Sequence, residues 1–185
     1  MSNILSGFSK ETPQSLLALG HQTKLFPVDV AEICCKANVR LQPFDFNNPA
    51  RYSPFKGDLK TIRGAIVVCD EQAAILYRTD STILGRRFAI AHLIGHLCLH
   101  AEKEKPAGNE VWVHLDFSTE EPAEKEIQAD LFARKILVPA DTLLLLIQNT
   151  AKVFFTAVYD LSVRFMVSEE LMRERLKELE IGLSD

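Results

Sequence analysis

The chain has 185 residues, 47% hydrophobic and 25% charged, so a packed core is expected and extensive disorder is excluded. Its formal net charge of −4 gives no general electrostatic pull toward phosphate backbones, which argues against charge-driven nucleic-acid binding. The start, Met1 to Gly7, has no leader pattern, and apolar runs such as Leu143 to Ile147 fall far short of the ~18 residues that span a bilayer. Cys34, Cys35, Cys69 and Cys98 sit among apolar neighbours without CxxC spacing, which points to free thiols in a reducing cytoplasm.

In chain order, a helix is predicted from Thr12 to Gly20, and a second is announced by Pro27 and Asp29 with Val28, Val30, Ile33 and Cys34 on its apolar face. Val39 to Phe44 alternates like a strand, and Asn47 to Gly57 reads as a loop. Gly64 to Cys69 and Ala73 to Tyr77 form a hairpin-like pair of strands about Asp70-Glu-Gln. Ser81 to Leu99 is a long helix, Ala101 to Glu110 a charged loop, and Val111 to Phe117 a short strand or an ordered stretch. Pro122 to Val138 is a helix stopped by Pro139, and Asp141 to Ile181 reads as helical throughout, with breaks near Gln148 to Thr150 and Val167-Ser168. A few strands followed by helices make an α+β protein of one domain, with a core over about residues 27–147 and a helical C-terminal part over about 150–185.

The chemistry concentrates in Arg86 to His100. His92 and His96, four residues apart, share one helix face about 6 Å apart along the axis, so both imidazoles can be directed at a single ion. The helix is otherwise almost wholly apolar, and two buried imidazoles there need a partner. Gly95 costs ~1 kcal/mol relative to alanine in mid-helix, which suggests a close approach by another element. Downstream, Glu126 and Asp130 share a face of the next long helix. One suits a metal ligand and the other a hydrogen-bond acceptor for a ligating imidazole. Ala129 and Ala133 beside them would let this helix lie close to Gly95. His100 stays on the face of His96 but lies too far along the axis for a third ligand. His114, Tyr52, Tyr77 and Tyr159 are candidate oxyanion donors that fit equally well as packed or surface residues.

These motifs resemble the ImmA/IrrE family of metallopeptidases. Arg87-Phe-Ala-Ile-Ala-His92-x-x-Gly-His96-Leu-x-Leu-His100 resembles that family's R-F-T-x-A-H-E-x-G-H-x-x-x-H stretch, and Glu126-x-Gln-Ala-Asp130 through Pro139 resembles its second helix. Pro27 to Ile33 and Phe165 to Leu179 match its earlier and closing segments in order. The resemblance implies a zincin-like fold, a small sheet packed on the histidine-bearing helix, with His92, His96 and Glu126 holding zinc and Asp130 behind a histidine. It also implies a place in mobile elements or stress pathways, beside a helix-turn-helix repressor that such proteins cleave or antagonise.

The departure is Leu93, which stands where the H-E-x-x-H pattern has its general-base glutamate. Losing such a base costs ~10²–10⁴ in rate. A leucine beside the ion would also dry the site and lower its occupancy by metal. Glu120 and Glu121 are the nearest carboxylates in sequence. The expectation is therefore a metal-binding, degenerate peptidase that regulates a protein partner, a repressor or antitoxin-like protein, by binding it. An active zinc endopeptidase with a substitute base and a metal-free interaction module are the alternatives. Tyr159 to Leu171 has the rhythm of a helix-turn-helix, but Glu169, Glu170, Glu174, Glu178 and Glu180 set against Arg173, Arg175 and Lys177 make DNA reading unfavourable.

Overall fold

The helix-start signals act locally, as the sequence suggests. In the computed structural model, which describes residues 7–21, 26–47, 61–69, 72–104, 111–117, 123–148 and 150–184, Thr12 caps α1 (Pro13–Leu19) in a capping box with Ser15. Asp29 caps α2 (Val30–Lys36) by accepting from the backbone of Ala31 and Glu32. Val30, Ile33 and Cys34 on that helix are buried as their spacing predicts.

Four strands follow: β1 (Val39–Phe44), β2 (Ile62–Cys69), β3 (Gln72–Arg78) and β4 (Val111–Phe117). Their order across the sheet is β1-β3-β2-β4, with β2 antiparallel to both β3 and β4, and β1 parallel to β3. The predicted pairing of β2 with β3 is therefore present, while Asp70 and Glu71 of the expected turn lie outside the described residues, as do 48–57 of the expected loop. Val111 to Phe117 is a strand at the edge of the sheet, paired with β2. Its Trp112 and Asp116 are buried, whereas Val111 and Val113 face outward. That alternation decides which of its side chains look toward the histidines.

Helix α3 (Ile83–Leu99), capped by Thr82, lies between the sheet and a second long helix, α5 (Glu124–Leu137). Every residue from Ala89 to Cys98 is buried, because β2 and β3 cover one side of α3 and α5 the other. The close approach foreseen at Gly95 is present. A Cβ there would stand 3.0 Å from the carbonyl oxygen of Ala129 and 3.1 Å from its Cα. Backbone atoms cannot step aside, so glycine is what lets the two helices meet.

Two readings of the sequence are corrected. The stretch expected as a loop from Ala101 contains a short helix, α4 (Ala101–Glu104), because the backbone N–H groups of Lys103 and Glu104 bond back to His100 and extend the winding of α3. The C-terminal part is not helical throughout. After α6 (Ala140–Leu146), strand β5 (Lys152–Phe154) pairs in parallel with β6 (Gly182–Ser184) around α7 (Ala157–Phe165) and α8 (Glu169–Glu178). Val153 of β5 is buried between two exposed neighbours, a period of two that a three-residue strand is too short to make visible in sequence. Among the described residues no helix is long and apolar enough to cross a membrane.

Candidate metal centre

The site forms where α3 and α5 touch. His92 and His96 are both buried, with their Nε2 atoms 3.0 Å apart. Glu126, in the first turn of α5, reaches both: Oε2 lies 3.2 Å from His92 Nε2 and Oε1 3.2 Å from His96 Nε2. These three residues form the one group among the described residues with the spacing of a metal site. For bonds of ~2.0–2.1 Å, a tetrahedral ion sets its ligand atoms about 3.3 Å apart, close to the separations found here. On the far side of the ring, His92 Nδ1–H donates to Asp130 Oδ1 at 2.7 Å, so that Nε2, once it has lost its proton, turns a lone pair to the site. The four residues singled out by spacing alone thus converge, His92, His96 and Glu126 inward and Asp130 behind.

Two further residues complete the pocket, and sequence reasoning missed both. Arg63 on β2 donates to Asp116 Oδ1 from Nη2 at 2.7 Å and from Nε at 3.1 Å, and its Nη2 also reaches Glu126 Oε2 at 3.2 Å. Asp116 on β4 is 1% exposed and its Oδ1 lies 3.7 Å from His92 Nε2. Neither strand carries a recognisable motif. The one usable signal was an aspartate on the inward side of an apolar edge strand, two residues from His114. His114 itself stacks its ring 4.3 Å from that of His96. His100 is not a ligand: its Nε2–H donates to the backbone oxygen of Lys125 at 3.2 Å and ties α3 to the start of α5. Tyr77 packs on the core and Tyr159 is exposed, while Tyr52, Glu120 and Glu121 lie outside the described residues.

The electrostatics follow from this crowding. Burial pushes His92 down, but the hydrogen bonds to Asp130 and Glu126 and the field of Asp116 outweigh it and raise its pKa to about 9. Burial, aided by His114 and His92, lowers His96 to about 3. The hydrogen bond to His92 outweighs burial for Glu126 and brings it down to about 2. Burial lifts Asp116.

The donor set fits a divalent cation. Two imidazole nitrogens point at each other, and the carboxylates of Glu126, Asp116 and Asp130 crowd the pocket with Arg63 as their guanidinium counter-charge. Among the described residues, His96 Nδ1 and Asp116 Oδ2 are buried with no hydrogen-bond partner, which leaves polar demand in the pocket. When bound in such a site, a divalent ion supplies Lewis acidity and activates water near neutral pH.

Leu93 is wholly buried and packs against β2, where a Cβ on Gly64 would stand 2.7 Å from its Cδ1. The position that follows the first histidine thus joins the core between helix and sheet, and no proton acceptor stands there. The family arginine Arg87 is also structural: its Nε and Nη2 bond the backbone oxygens of Met166 and Phe165 at the end of α7.

The model of the IrrE N-terminal-like domain, Peptidase_M78, matches residues 50–177. The chain belongs to this family. The mixed α+β architecture and the His92–His96–Glu126 group agree with the zincin-like fold of IrrE N-terminal-like domains. No curated protein matches the chain.

Proposed function

We propose that this protein is a zinc-binding, degenerate member of its peptidase family that acts by binding a protein partner in the cytoplasm, a repressor or antitoxin-like protein, rather than by cutting it efficiently. The observation that supports this reading is the contrast within one helix turn. His92 is fully equipped with Asp130 behind it and Glu126 before it, while its neighbour Leu93 is a core residue. Zinc is favoured over harder cations because two of the three inward ligands are imidazoles. Among the described residues, the strand β4, which carries Asp116 toward the site, is paired on one side only and offers its other side to an extended segment.

The test combines metal analysis with one substitution. Protein purified without added zinc is expected to carry about one ion per chain, and a repressor encoded beside it is expected to form a stoichiometric complex and stay intact. Leu93→Glu, verified as folded by its melting curve, is expected to cleave that repressor. If the unaltered chain cleaves as fast as Leu93→Glu, the binding-only reading is wrong.

A specific observation favours a second reading, that of a slow hydrolase. Asp116 places a buried carboxylate within 3.7 Å of His92 Nε2. On this reading Asp116→Asn abolishes a residual cleavage that Leu93 alone does not explain.

A further inference from the structure

A partner that is held rather than cut needs a surface of its own, and the C-terminal helices offer one. A cavity of about 510 Å³ opens between the first turns of α3, the outer side of α5 and α8. Its apolar walls include Leu84, Phe88, Val167 and Leu171. Through Leu84, Val167 and Ser168 it continues into a second cavity of about 400 Å³, where Tyr159 and Val163 are 60% and 56% exposed. Single exposed apolar side chains are ordinary, but here Leu84, Tyr159 and Val163 stand exposed along one groove backed by the buried Val167 and Leu171, and each cavity lies within the ~300–1,000 Å³ of ligand pockets.

The charge of the groove selects its occupant. Glu170 and Glu174 line it one helical turn apart, both exposed, and among the described residues neither has a hydrogen bond or ion pair. Asp130 closes the inner end. The lining cation, Arg134, is already bound by Glu178. Glu169, beside the second cavity, is paired with Arg173. The groove is therefore electronegative and repels phosphates and acidic segments, while an apolar segment carrying Lys or Arg complements it.

The walls are helices whose backbone groups are already used within the helices. An extended strand laid in the groove would find no ladder to join, so the occupant must satisfy its own backbone, as a helix does. Resting on the partner-binding reading above, we propose that this groove is the docking site for a basic amphipathic helix of the partner protein.

The probe is a fluorescein-labelled helical peptide of ~14 residues built from Leu and Lys, compared with its Leu and Glu counterpart, each titrated by anisotropy with the full chain. The unaltered chain is expected to prefer the Lys peptide by at least about tenfold, with the preference shrinking between ~0.05 and ~0.5 M salt. Glu170→Lys with Glu174→Lys, both on the surface, is expected to invert that preference, and Val163→Asp to weaken binding of the Lys peptide. Binding of neither peptide, or a preference unmoved by the charge reversal, overturns the proposal. So does a groove occupied by a second copy of the chain, seen as a dimer that dissociates on charge reversal. A repressor complex that survives Glu170→Lys with Glu174→Lys unchanged refutes this groove and leaves the partner-binding reading standing, whereas fast repressor cleavage by the unaltered chain refutes that reading.

Discussion

Around the contact of α3 and α5, Glu126, Asp130 and the strand residue Asp116 are each held by an imidazole or a guanidinium, whereas on α8 Glu170 and Glu174 have no ion-pair partner among the described residues and stand beside a groove. The first region has met the cost of desolvating its carboxylates during folding. Each carboxylate has at least one cationic or imidazole partner, and His92, His96 and Glu126 already face one another closely enough to share an ion. The second region leaves its carboxylates in water beside a partly exposed apolar wall, and on the docking proposal the gain from burying them falls to an external partner. On the proposed readings, one set of acidic residues is organised inward toward a small cation and the other outward toward a large one.

The comparison breaks most easily at Glu126. Glu126→Ala removes an inward ligand candidate and one of the two acceptors of Arg63, and metal affinity measured against a chromogenic chelator is expected to fall by more than ~100-fold. Asp130→Asn keeps the shape but weakens the acceptor behind His92, with an expected loss of ~10–100-fold in the same assay. Gly95→Ala tests whether the helix contact itself positions Glu126. Helix propensity favours the change by ~1 kcal/mol, but overpacking against the Ala129 backbone costs ~1–3 kcal/mol, so a melting point a few degrees lower and weaker metal binding are expected together.

Proton linkage sharpens the same point. The pKa of His92 is raised in the folded, metal-free protein from 6.5 to about 9, so the stability it contributes is fully present below 6.5 and lost as pH rises through 9. In denaturant melts of metal-free protein, the advantage of the unaltered chain over Asp130→Asn should shrink between those pH values. Metal affinity should rise over the same range, because the ion displaces that proton. The smallest expected effect belongs to the other region. Glu170→Lys with Glu174→Lys should leave stability within ~0.5 kcal/mol and metal affinity unchanged, since neither residue touches the fold's interior or the site.

Much of the site was legible because its parts are local. His92 and His96 declare themselves by four-residue spacing, Glu126 and Asp130 by the same spacing on the next helix, and Gly95 by the penalty a helix accepts only for a close neighbour. Local start signals placed α1 and α2, alternation placed β1, and two apolar runs about a turn placed β2 and β3, while Val111 to Phe117 read equally as a strand or an ordered stretch. Arg63 and Asp116 gave no comparable sign. They meet 53 residues apart, across the β2–β4 pairing, and no periodicity within one segment encodes a register between two. Arg175, counted in sequence among the basic residues of a possible recognition helix, is buried and bonds the backbone oxygen of Val138, a contact that depends on where α8 comes to rest.

The identity and spacing of His92, Leu93 and His96 determined from sequence that two imidazoles share one helix face and that an apolar residue follows the first of them. Only the tertiary structure decided that Leu93 belongs to the core against Gly64, that Arg63 and Asp116 close the pocket, and that Glu170 and Glu174 face an open groove. Each of those depends on which surface packs against which, and packing is settled by the whole chain at once rather than by any one stretch of it.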